Sequence, residues 1–152
     1  MIEKTSISKE NWEEYREKID KLWSDKDFVE AISESFYFIK KSKEIFGEEH
    51  IKYAMSLLSL AERFKDLCAF RDSIYYYEKS FPILELDSSI DESWVGSLYM
   101  VVGDNYFRLK EYEKCNEAYF IANELIDPSG VTGKLISQRI SALNEILKKG
   151  KG

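Results

Sequence analysis

Proline and glycine are scarce in this chain of 152 residues, with two of the former and seven of the latter. So few backbone breakers, beside an aromatic share of 14%, favour long helices over a fold of strands and tight turns. Histidine occurs once, at His50. One imidazole and seven scattered glycines cannot supply a Ser/His/Asp constellation, a phosphate-cradling loop or a metal-ligand cluster. His50 reads instead as a polar residue at a helix entrance rather than a catalytic base. The two cysteines, Cys68 and Cys115, are no disulfide framework and read as reduced thiols of an intracellular protein. Nothing near Cys115 in sequence would depress its pKa, so it reads as a small core residue and not a nucleophile. The expectation is a protein with no catalytic residues, no metal and no cofactor.

Positive charge is also in deficit. The net charge is −6 and the isoelectric point is near 5.0. Displacing counterions from a nucleic-acid backbone needs clustered Lys and Arg, so nucleic acid is excluded as a partner, and an anionic membrane surface with it. The tail Lys148-Lys149-Gly150-Lys151-Gly152 is basic but short and terminal, and reads as a frayed, solvated end. The opening Met1–Ser6 carries no apolar signal segment, and no uncharged run is long enough to span a bilayer. A cytoplasmic location is expected, and self-association through an exposed helix face stays open.

What the chain does have is a loose period of 42 residues. Phe28, Phe70 and Tyr112 are equally spaced, and so are the small residues Ala31, Ser73 and Cys115. Ile19, Ala61 and Gly103 precede them, followed by Leu22, Phe64 and Tyr106. A fixed period of this size marks a stacked helical array, whose units bury their apolar faces only against neighbours. The apolar spacing predicts seven helices. The first has Ser8 as N-cap, with Ile7 and Trp12 as a hydrophobic staple. The second spans 28–45, with Gly47 at a left-handed end. The others span 49–66, 71–86, 92–109, 111–126 and 132–149. Pro82 predicts a kink or early end in the fourth, and Asp127-Pro128-Ser129-Gly130 is a strong turn signal. The seventh places Leu135, Ile136, Ile140, Leu143, Ile146 and Leu147 on one side.

The segment Gly103-Asp104-Asn105-Tyr106 with Tyr112, Cys115, Tyr119, Ala122 and Asp127-Pro128 resembles the tetratricopeptide repeat. That motif sets a small residue and an aromatic on its first helix, an aromatic at the turn, and alternating small and large residues on its second. Leu57, Leu60, Ala61, Phe64, Phe70, Ser73, Tyr77 and Ser80 form an earlier copy. The first copy diverges: Ile19 replaces the small residue, and Ser35 and Phe38 invert the size order. The usual repeat is 34 residues long, and the segment Phe46–Ala54 resembles the linker of the longer repeats of kinesin light chains. Ile51 stands where that family typically has a proline. The resemblance implies an all-α, right-handed α-solenoid of three antiparallel helix hairpins (12–46, 49–87 and 92–127), closed by a capping helix at 132–149. It implies one domain that binds protein or peptide in a concave groove.

In such an array the first helix of each pair lines the groove, so residues 42 apart stand side by side. Asp20, Glu62 and Asp104 form an acidic row. Arg16, Leu58 and Met100 form a second, and Trp23, Lys65 and Phe107 a third, flanked by Met55, Ser97 and Arg108. Three like charges on adjacent helices repel, and a cationic or amphipathic segment would relieve them while Met55, Met100, Trp23 and Phe107 contact its apolar side. The bland alternative is a solvated rim over helix-packing core. Gripping the acidic tails of heat-shock chaperones would need a ring of cations, and this face shows Arg16, Asp20, Ser59, Ser97 and Val101. Tyr75-Tyr76-Tyr77 share no helix face: Tyr77 belongs to the core, the others between units or outside. The expected function is an adaptor or scaffold for a basic or amphipathic partner. The alternative is a dedicated chaperone or neutralising partner of one secreted or toxic protein.

Overall fold

A computed structural model describes residues 6–150. Most of the opening segment Met1–Ser6, and the Lys151–Gly152 end of the basic tail, lie outside them. Seven helices follow one another: α1 (Trp12–Ser24), α2 (Phe28–Phe46), α3 (Ile51–Asp66), α4 (Phe70–Glu85), α5 (Glu92–Arg108), α6 (Tyr112–Leu125) and α7 (Val131–Lys149). The described residues contain no strand. The main packing joins each helix to its neighbours in sequence, so the chain is helical and repeat-like.

The 42-residue period is written into the backbone of three turns. The N–H groups of Asp27, Ala69 and Glu111 donate to the carbonyls of Leu22, Phe64 and Tyr106 at 3.0, 2.8 and 3.0 Å. The preceding N–H groups, of Lys26, Cys68 and Lys110, donate to Trp23, Lys65 and Phe107 at 3.1, 2.9 and 3.0 Å. This double pattern closes α1, α3 and α5 alike by the Schellman motif. It holds Lys26, Cys68 and Lys110 at φ of 60°, 61° and 61°, where an L-residue costs roughly 1–2 kcal/mol. The three hairpins α1–α2, α3–α4 and α5–α6 are the first, middle and last units below.

Side-chain caps open two of the seven helices, α3 and α5. His50 Nδ1 accepts from the Lys52 N–H at 3.0 Å, and Asp91 Oδ1 from the Ser93 N–H at 3.0 Å, satisfying donors that no helix turn can reach. The sole histidine is thus a cap for α3, which begins at Ile51 rather than at residue 49. Ser8 does cap, but it caps a short turn ahead of α1. Its Oγ accepts from the Asn11 N–H at 3.4 Å and its own N–H donates to Asn11 Oδ1 at 2.7 Å. Gly47 follows α2 at φ +97°. Pro82 does not end α4, which continues to Glu85.

The small residues of the period sit at the closest contacts. Ala31, Ser73 and Cys115 are fully buried, and Gly103 lies against the Tyr119 ring where a Cβ would collide with it. Ser73 adds a polar tie: its Oγ donates to the Ala61 carbonyl at 2.7 Å and accepts from Asn105 Nδ2 at 3.0 Å. Each large apolar side chain buried in these layers contributes about 1.5–3 kcal/mol. The divergent first unit has its own logic. Ser35 is small because Trp23 Nε1 donates to its Oγ at 3.3 Å, and Phe38 stacks on Trp12 and Tyr15 at 5.1 and 5.8 Å between centroids. At the other end α7 buries Ile136 and Leu143 completely against α5 and α6, whereas Leu135 turns outward and leaves the apolar side expected for it.

Candidate functional site

Two concavities take up most of the residues expected at a binding face. The first, of about 320 Å³, gathers Arg16 and Asp20 from α1 with Met55, Leu58 and Glu62 from α3. Ser59 and Arg63 of α3, Tyr77 of α4, and Trp94 and Leu98 of α5 complete it. The second, of about 260 Å³, gathers Asp104, Phe107 and Arg108 from α5 with Tyr119, Arg139 and Ala142. The 42-residue rows are therefore divided between two hollows. Trp23 and Met100 are buried in helix-packing clusters, and neither lines these concavities. Lys65 is half-buried and lines neither, and Phe107 sets its ring edge against Tyr112 at 5.6 Å.

The acidic row is not left to repel itself. Asp20 lies 3.5 Å from the Arg63 guanidinium. Asp104 Oδ1 accepts from Arg139 Nε at 2.8 Å and from the Tyr119 hydroxyl at 2.5 Å. Two of the three charges thus have intramolecular partners, the structural reason for the row that sequence alone did not offer. Glu62 is different: among the described residues it has no ion pair and no hydrogen bond. Arg16 is committed elsewhere, 3.1 Å from Glu13 and over the Trp12 ring at 5.7 Å.

Tyrosines surround these carboxylates. Burial first, then the hydrogen bond to Asp104, pushes the Tyr119 hydroxyl far above its ordinary range. Burial, then the charges of Glu62 and Asp66, does the same to Tyr77. Tyr77 is only 3% exposed, and its hydroxyl has no hydrogen-bond partner among the described residues. Beside Tyr119, burial pushes the Cys115 thiol up to about 11, so it stays protonated and unreactive at neutral pH. Cys68 is exposed at the left-handed turn position, and both thiols are free.

Sequence reasoning missed Trp94, Leu98, Arg63 and Arg139. Trp94 has no aromatic counterpart 42 residues away, where Lys52 and Ile136 stand, so the period could not flag it. Arg139 comes from a helix outside the repeated hairpins. A further hollow of about 420 Å³ lies between the α4–α5 connection and the end of α6, lined by Leu84, Ile90, Val95 and Leu125 among others, and gathers none of the expected residues. Of the aromatic triplet, Tyr77 is core, Tyr76 packs between Phe36 and Phe64, and Tyr75 is exposed.

Among the described residues no three His, Cys, Asp or Glu side chains are grouped to hold a metal ion. None of the helices is long and apolar enough to cross a membrane. Compared with known proteins, the chain matches no family model and no curated protein.

Proposed function

We propose that the chain is a non-catalytic binding module of the tetratricopeptide type, an adaptor or scaffold that holds an extended or helical segment of a partner protein across α1, α3 and α5. The observation that carries this reading is the first concavity. It combines an apolar floor of Met55, Leu58 and Leu98 with a half-open indole, Trp94, and a carboxylate, Glu62, that has no ion pair or hydrogen bond among the described residues. A few polar groups over apolar ground is the usual composition of a peptide groove, with the floor giving affinity and the charge giving orientation and steering. The acidic balance of the chain suits a basic or amphipathic segment.

The test is retention of a pool of random capped decapeptides on the immobilised chain. Retention should fall at least about fivefold, the effect of losing two modest apolar contacts, in the Met55→Ser/Trp94→Ser double variant with an unchanged helical circular-dichroism spectrum. Equal retention by a well-folded double variant removes this concavity from the function.

A further inference from the structure

We propose that the Glu62–Tyr77 corner of the first concavity is a guanidinium subsite, and that the partner segment places an arginine side chain there. The inference rests on the binding reading above and specifies what is bound.

Asp20, Glu62 and Asp104 are equivalent positions of three units, and the first and last each face a guanidinium from the next odd-numbered helix. Arg63 of α3 serves Asp20 and Arg139 of α7 serves Asp104. The residues that α5 brings to the concavity with Glu62 are Trp94 and Leu98, and neither carries charge. Of the two arginines that also line this hollow, Arg63 pairs with Asp20, and Arg16 pairs with Glu13 through Nη2 while its buried Nε has no partner among the described residues. One guanidinium is therefore missing from a row of three.

Tyr77 supplies the second observation. Its equivalent 42 residues on, Tyr119, donates to the same Asp104 oxygen that receives the Arg139 N–H. In the last unit, acid, tyrosine and arginine form a closed set. In the middle unit the acid and tyrosine are present, both line the concavity, and the hydroxyl of Tyr77, a residue only 3% exposed, has no hydrogen-bond partner among the described residues, where such groups normally find one. A guanidinium carries five N–H donors in one plane. It can meet the Glu62 carboxylate with two and the Tyr77 oxygen with a third. Trp94, 37% exposed, lines the same hollow, and an indole is the side chain on which a planar cation stacks best. An ammonium group would match the charge but lacks the fork and the flat face.

The test uses pools of capped decapeptides, random except for one central position fixed as arginine, lysine or citrulline. They are titrated into the full-length ¹⁵N-labelled chain, with the Trp94 indole N–H signal as readout. The arginine pool should bind about tenfold more tightly than the lysine pool, and the citrulline pool more weakly still, the scale of a charge-assisted bidentate contact. Glu62→Gln should abolish the arginine preference, and Tyr77→Phe should reduce it severalfold, both with wild-type helicity. Equal affinities of the three pools, all sensitive to Met55→Ser, would overturn the subsite while leaving the binding reading in place. An arginine preference that survives Glu62→Gln also overturns it. Failure of every pool to shift Trp94 overturns the subsite, and loss of pool retention by the wild-type chain overturns the broader reading as well.

Discussion

In the last unit Tyr119, Asp104 and Arg139 satisfy one another across α5, α6 and α7. In the middle unit Tyr77 and Glu62 hold the equivalent places on α4 and α3 with no third member among the described residues. The scaffold around them is the same: the same Schellman turn, the same fully buried small residue on the second helix, the same period. The contrast begins with a methyl group. Gly103 lets the Tyr119 ring lie directly against α5, where a Cβ would collide with it. A ring so placed against Ala61 would meet the alanine methyl, so Tyr77 has to sit differently. The second contrast is the neighbour: α7 contributes an arginine, whereas α5 contributes an indole and a leucine. Two copies of one motif thus differ in whether the molecule completes them itself.

The largest test of this contrast is alkaline unfolding, because both tyrosines are buried in protonated form. An unfolded tyrosine ionises near pH 10, and both folded pKa values lie higher. Their contribution is therefore complete below pH 10 and is lost as pH rises towards the folded values, because only the unfolded state releases its protons first. By pH 11 each buried tyrosine should cost about 1.4 kcal/mol of stability. Urea titrations from pH 9 to 11 should show that fall, and Tyr77→Phe and Tyr119→Phe should each remove an equal share of it, the remainder coming from Tyr15, Tyr99 and Tyr106, which burial raises in the same direction. A flat profile in the wild-type chain would mean that the two rings are not buried as described.

Gly103→Ala should come next, costing about 1–3 kcal/mol by overpacking against Tyr119, against about 1 kcal/mol for the reciprocal Ala61→Gly. Chemical denaturation of the pair would show whether the missing methyl sets the difference between the units. Arg139→Gln should cost about 1 kcal/mol, since its pair with Asp104 is partly exposed and screened. Arg63→Gln, at a longer distance from Asp20, should cost less, and added salt should shrink both losses. The smallest effect is expected at the turns. Cys68→Gly and Lys110→Gly each relieve a left-handed L-residue and should stabilise by about 0.5 kcal/mol, the left-handed penalty less the added freedom of the unfolded chain. Equal gains would confirm that the two turns are energetic copies.

The helices were legible because apolar spacing and scarce breakers leave little else to form, and the equivalence of Ala31, Ser73 and Cys115 followed from equal spacing alone. The turns were only half legible. No glycine announces Lys26, Cys68 or Lys110, so the left-handed geometry at those positions shows only in the backbone. Candidate binding residues fared unevenly for a simple reason. A row of residues 42 apart fixes which side chains share a level of the stack, but not which arginine reaches over from the next helix. Arg63 and Arg139 therefore answered a charge problem that the row by itself appeared to leave unsolved. Trp23 and Met100 were assigned to the open face because helical periodicity cannot tell a groove wall from the packing beneath it.

The hydrogen-bond chain from Asn105 through Ser73 to the Ala61 carbonyl reaches across α5, α4 and α3. Opening α5 alone would break the Asn105–Ser73 bond and expose the apolar cluster that α5 shares with α3 and α4, so the middle and last units share one opening event. The first unit has no such rivet to α3 among the described hydrogen bonds and is held there by packing on Leu60 and Phe64 and by the Asp20–Arg63 pair. In slow amide exchange the molecule should therefore behave as two blocks of unequal size, with the boundary falling between α2 and α3 rather than at each 42-residue seam.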